Sequence, residues 1–184
     1  MDAFHWIMVP ISTVLGLSLA RLLGGYVTAF KGRTRLRFDW LPLVFAAAIL
    51  GVALQFWWAL LELSTHTGWS LSAFTILIAM IMALFTAAAL ISPSEGDTDL
   101  ATAFERDGRW ALIALAVFHG LAIVANGGLW GVPLLSATQG LQVILAACCI
   151  GAGLVKHRRF QEVVAALYVL LSVIDTLTAS VAVY

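Results

Sequence analysis

The chain has 184 residues, of which 62% are Ala, Val, Ile, Leu, Met, Phe, Trp, Tyr or Cys; only 11% are charged, ten basic and ten acidic, so the formal net charge is zero. A soluble domain carries roughly 25% charged residues to cover its surface, while disordered and nucleic-acid-binding chains need net charge or low hydropathy. With a mean hydropathy of +1.00, all three classes are excluded and a membrane protein is left.

A helix that crosses the hydrocarbon needs roughly 20 apolar residues, and the charged residues cut the chain into six such stretches, about 4–30, 40–63, 70–92, 110–128, 133–155 and 160–183. A transmembrane barrel would alternate apolar and polar residues, yet the run from Phe74 to Phe85 is apolar on almost every side. The expected fold is all-α, a polytopic membrane helix bundle of six transmembrane helices in a single domain, 1–184. The first stretch opens with Asp2 as its only charge and no basic n-region, so it reads as an anchor helix rather than a cleavable signal peptide. It carries Ser12, Gly16, Ala20 and Gly24 at intervals of four, a groove of small side chains where another helix is expected to cross. Arg21 lies in the same stretch.

The second stretch holds Gln55, and Ala47 with Gly51 make a shorter small-residue pair; Ala79, Ala83 and Ala87 repeat the spacing in the third. The connection 93–109 starts with the loop formers Pro93, Ser94, Glu95 and Gly96. Asp97 is then expected to cap a short cytoplasmic surface helix, with Leu100, Ala103 and Phe104 on one face. The fourth stretch contains His119 and Asn126. The fifth contains Gln139 and Gln142, with Cys148 and Cys149 adjacent, so about 100° apart on a helix and read as small apolar residues. The sixth holds Asp175, and its Ser172, Thr176 and Ser180 are expected to bond back to their own helix. The halves 1–92 and 110–184 would insert in opposite orientations, the topology of an inverted repeat, although no residue match relates them.

Nine of the ten Lys and Arg residues fall between stretches one and two, three and four, or five and six, and the tenth, Arg21, is in the half of the first stretch nearest that side. By the positive-inside rule these connections are cytoplasmic, which places both termini outside. The tryptophans fit this frame: Trp40 and Trp110 are at predicted inner ends, and Trp6, Trp57, Trp58, Trp69 and Trp130 near outer ends.

The segment from Asp99 through Leu100, Phe104, Arg106 and Arg109 to Trp110 resembles one found in an uncharacterised family of small six-span bacterial inner-membrane proteins. The opening His5-Trp6 with Pro10, Ser12 and Leu15-Gly16 is similar to the same family. The resemblance covers about a quarter of the chain. It implies a multi-pass location in the bacterial cytoplasmic (inner) membrane and no known activity, so it transfers no functional residue.

Ionisable groups inside the hydrocarbon are costly and mark function unless a packing partner accounts for them. Arg21, His119 and Asp175, with Gln142 and Asn126 beside them, are therefore candidates for a transport path. Asp175 and His119 would relay a proton or coordinate a cation, and Arg21 would set the field or bind an anion. Against this stands Arg21 snorkelling to the surface, with His119 and Asp175 as interhelical glue. At the outer face Asp2, His5, Glu62 and His66 would suit a divalent metal only if they converged. No phosphate loop, HExxH or nucleophile motif is present, so no catalytic residue and no cofactor are expected. The reading is a small channel or transporter for ions, protons or a small solute, set in the lipid bilayer and assembled as a homo-oligomer. The rival is a non-transporting accessory, scaffold or sensor subunit, which would dock on a membrane-protein partner through the small-residue face of the first span and the 97–109 helix.

Overall fold

The computed structural model describes residues 3–34, 37–94, 96–97 and 99–181. Asp2, Arg35, Glu95 and the side chain of Ser180 lie outside the described residues. The elements are α1 (Ala3–Gly32), α2 (Trp40–Glu62), a 3-10 turn (Leu63–Thr65), α3 (Leu71–Ile91), α4 (Leu100–Ala103), a π-helical turn (Phe104–Gly108), α5 (Arg109–Gly128), α6 (Ala137–Leu154) and α7 (Arg158–Val181). Six helices are long and apolar enough to cross a membrane, α4 and α5 counting as one. Helices are the form this composition permits in lipid, since each satisfies its own backbone N–H and C=O groups. Among the described residues the β-type pairing is a lone bridge between Arg37 and Asp99.

Helix starts follow local chemistry. Asp39 accepts from Leu41 N, Ser70 from Ala73 N, Asp99 from Ala101 N and Ser136 from Gln139 N, each occupying an amide that the first turn leaves free. After α5 the chain turns at Gly131, whose φ of 66° suits a residue without Cβ, so α6 begins at Ala137, four residues later than the sequence suggested.

The connection 93–109 differs from expectation. Asp99, not Asp97, caps the helix, and the helix is not a separate surface element. Leu100 and Phe104 are buried, and the helix runs through the π turn straight into α5. Gly108 permits this: a Cβ there would sit 2.4 Å from the Phe104 ring, so only glycine lets Phe104 fold over the turn and stack on Phe45. Asp97 instead accepts from Ser94 N and pairs with Arg106.

The helices pack in the order α1, α3, α5, α6, α7, α2, with α2 closing onto α1. In the second half α6 lies between α5 and α7, whereas in the first α1 packs directly on α3; the two halves are not arranged alike. The connections rich in Lys and Arg meet at one end of the bundle. Leu100 N donates to Arg37 O at 3.3 Å, and Arg158 pairs with Asp39 at the start of α2. This is the basic end of the bundle.

The small-residue groove of α1 is the main correction to the packing. Ile11, Leu15, Ser18, Leu22, Gly25 and Ala29 form the buried face. At about 100° per residue, Gly16, Ala20 and Gly24 lie on the far side; all three are exposed, Ser12 is half-buried at the edge, and a Cβ at Gly16 or Gly24 would meet nothing. Among the described residues no helix crosses there. The close approach falls on Gly25, where a Cβ would come within 3.0 Å of Ser92. In lipid a spacing of four small residues reports that a helix can approach, not which side it approaches from.

Candidate functional site

Four helices deliver one connected polar network to the interior. From α7, Tyr168 Oη lies 2.8 Å from His119 Nε2 on α5; His119 Nδ1 lies 2.7 Å from Gln142 Oε1 on α6. Gln142 Nε2 donates to Asp175 Oδ2 on α7 at 3.3 Å, and Gln55 Nε2 on α2 donates to the same oxygen at 2.9 Å. Thr176 Oγ1 then approaches Gln55 Oε1 at 3.3 Å. His119, Gln142, Tyr168 and Asp175 are all buried, Asp175 to the extent of 7% exposure.

The network has a polarity. A carboxylate only accepts, so Gln142 turns its NH2 to Asp175 and its carbonyl oxygen to His119. That oxygen also only accepts, so His119 carries its proton on Nδ1 and Nε2 accepts from the Tyr168 hydroxyl. The bonds from Tyr168 through His119 and Gln142 therefore all run toward Asp175, over the two turns of α7, about 10 Å, that separate them, while Gln55 donates to the same carboxylate from α2. Toward the basic end the network is sealed. Beyond Tyr168 lie Cys149, Phe45 and, stacked on Phe45, Phe104. Cys148 is half-buried and Cys149 fully buried, as small apolar residues should be.

Toward the other end the network meets open space. A pocket of about 90 Å³ touches His119, Gln142, Gln55, Asn126, Trp130 and Asp175. It adjoins a cavity of about 520 Å³ whose wall includes Asp175, Gln55 and Asn126 and whose rim is formed by Trp58, Glu62 and Trp130 near the ends of α2 and α5. Among the described residues Asp175 makes no ion pair, and both bonds it takes fall on Oδ2, leaving Oδ1 without a donor. Trp130 Nε1 is buried without an acceptor, and the Asn126 side chain makes no bond to a described residue.

Of the residues expected from sequence, His119, Asp175, Gln142 and Asn126 come together here. Arg21 does not: it is exposed on α1, which packs on α3 and α2 rather than on α7, and its guanidinium makes no ion pair with a described residue. Ser92 Oγ reaches only its backbone carbonyl, at 3.3 Å. The outer-face set does not converge either. His5 and Glu62 are exposed, His66 packs its ring edge-on to Trp69, and no group of three metal-ligating side chains exists among the described residues. Asp2 lies outside them. Ser172 and Thr176 bond back to Tyr168 O and Ser172 O as expected.

Tyr168 was not singled out from sequence, although a signal exists: seven residues before Asp175, it lies on the same face of α7 two turns away. Gln55 stood out only as neutral polarity; its role depends on α2 meeting α7, 120 residues further on.

Fold and site together define the class, a six-span α-helical membrane protein with a buried polar network that ends in a cavity at one end of the bundle. No protein-family model, curated protein or solved structure matches the chain.

Proposed function

We propose that this chain is a small membrane carrier for a cationic solute or proton, entered from the end opposite the basic connections. The observation that carries the reading is the buried Asp175 carboxylate, placed on a cavity wall with no cation paired to it among the described residues. A carboxylate in a dry interior costs several kcal/mol unless a cation, a proton or strong donors compensate it. Two neutral amides compensate it in part, and a cation arriving through the cavity would complete the set. The aromatic seal of Phe45, Phe104 and Tyr168 suits alternating access better than an open pore.

The orientation follows from the positive-inside rule: the end where Lys31, Arg33, Arg37, Arg106, Arg109, Lys156, Arg158 and Arg159 gather faces the cytoplasm, both termini lie outside, and the cavity opens outward. The resemblance of the 99–110 segment supports a location in a bacterial inner membrane. The test is uptake of labelled methylammonium into proteoliposomes. Uptake above protein-free vesicles that is lost in Asp175→Asn supports the reading, and equal uptake by both proteins removes it.

A second reading, a non-transporting accessory subunit that docks on a membrane-protein partner, is favoured by the exposed stripe Gly16, Ala20 and Gly24, where the backbone of α1 is open to close approach by a helix of another chain.

A further inference from the structure

A second open volume, about 290 Å³, lies between α2 and α7 and faces the lipid side of the bundle. Its walls are mainly apolar and small, Ala47 and Gly51 on α2 against Val169 and Val173 on α7; Gln55 lies at one end, and the hydroxyls of Ser172 and Thr176 on the α7 wall are bonded back to their own helix. Gln55 also lines both chambers of the cavity, and it holds the Asp175 carboxylate. Groove and cavity therefore meet at Gln55, with a mainly apolar channel on one side and, on the other, a carboxylate that has no ion pair among the described residues. From Val44 to Gln55 the groove follows twelve residues of α2, a rise of about 16 Å.

We propose that groove and cavity form one site for an amphiphilic primary amine, with the ammonium group on Asp175 and the alkyl tail along the α2/α7 groove. The inference rests on the reading of the cavity as a cation site and names its substrate class. Charge selects the head: Asp175 accepts only through Oδ2 from Gln55 and Gln142, which leaves Oδ1 for an N–H donor, and Glu62 at the rim is a second carboxylate with no ion pair among the described residues. The electron-rich ring of Trp58 and the side-chain oxygen of Asn126, both lining the cavity, suit an ammonium group as well. Apolar walls select the tail. A tail that stays in an apolar groove avoids exposure to water while the head enters the polar chamber, so the ligand enters sideways from the bilayer and need not pass the Trp58 and Trp130 rim.

Binding of methylammonium and of decylamine to the protein in nanodiscs, each corrected for partition into empty nanodiscs, tests this. Gly51→Leu fills the groove at a position where a Cβ meets nothing within 4 Å, so the variant is expected to fold. It should weaken decylamine binding by about tenfold and leave methylammonium within about twofold; Ala47→Leu serves as an independent block. Asp175→Asn should abolish both. If both groove variants leave decylamine unchanged while Asp175→Asn abolishes both ligands, the groove has no part in binding and the proposal is overturned, while the cavity reading survives. If Asp175→Asn changes neither ligand, or wild-type protein binds no more than empty nanodiscs, the cavity reading falls and the proposal with it.

Discussion

Gln55 Nε2 donates to Asp175 Oδ2 at 2.9 Å, joining α2 to α7 across 120 residues of sequence. The bond ties the only carboxylate in the interior of α7 to the helix that walls both the cavity and the lipid-side groove. Replacing Asp175 with Asn retains shape and one acceptor; replacing it with Leu leaves the Gln55 and Gln142 amides unpaired. Each buried donor left unsatisfied costs about 1–3 kcal/mol, so Asp175→Leu should lower the thermal unfolding midpoint in detergent clearly more than Asp175→Asn does. Equal midpoints would mean that the two amides are satisfied elsewhere.

The His119 tautomer follows from the polarity of the network. Nitrogen-15 spectra of ring-labelled protein should show the proton on Nδ1, with Nε2 as acceptor. Tyr168→Phe removes the donor to Nε2 in a fully buried site and should cost about 1–3 kcal/mol in unfolding free energy. A spectrum with the proton on Nε2 would reverse the direction of the whole chain of bonds.

At the basic end Asp39 performs two tasks, capping α2 at Leu41 N and pairing with Arg158 at the head of α7. Asp39→Ala should therefore cost more than Arg158→Met. Loss of the cap alone accounts for about 0.5–2 kcal/mol, and a double-mutant cycle read by unfolding should show positive coupling between the two positions. Additive effects would reduce Asp39 to its capping role.

Two glycine classes should behave oppositely. Gly108→Ala drives a Cβ into the Phe104 ring and Gly25→Ala drives one against Ser92, so both should destabilise the fold, and Phe104→Leu should partly rescue the first. Gly16→Ala and Gly24→Ala meet nothing and should be neutral or gain up to about 1 kcal/mol. Gly16→Leu with Gly24→Leu should leave the unfolding midpoint unchanged but reduce cross-linking of Ala20→Cys, if that face is an interface with another chain. Unchanged cross-linking would assign the face to lipid.

Orientation is checked by labelling intact cells with a membrane-impermeant maleimide in a background lacking Cys148 and Cys149. Thr67→Cys, between α2 and α3, should label from outside, and Lys156→Cys, between α6 and α7, only after lysis. The reverse pattern would turn the cavity to the cytoplasm.

The sequence by itself determined the class and the number of helices, because hydropathy over about 20 residues is a local property that lipid reads directly. Clustering of charge in alternate connections likewise foretold that Arg37, Asp99, Asp39 and Arg158 would share one end. It also marked Asp175 and His119 as residues that would need partners, since a titratable group in an apolar helix is costly without one; both are buried and hydrogen-bonded. What tertiary structure decided was which side of each helix faces inward. In a soluble protein the apolar stripe marks that side; here every side is apolar, so the stripe of Gly16, Ala20 and Gly24 could be read as an inner groove though it faces out. For the same reason Arg21 could be counted with Asp175, although α1 and α7 lie apart in the bundle. Likewise Leu100 to Gly108 read as a surface loop helix because the burial of Phe104 over Gly108 depends on Phe45, 59 positions earlier. The partners of Asp175 come from α2 and α6, and only the packing of those helices on α7 brings the two amides to its carboxylate.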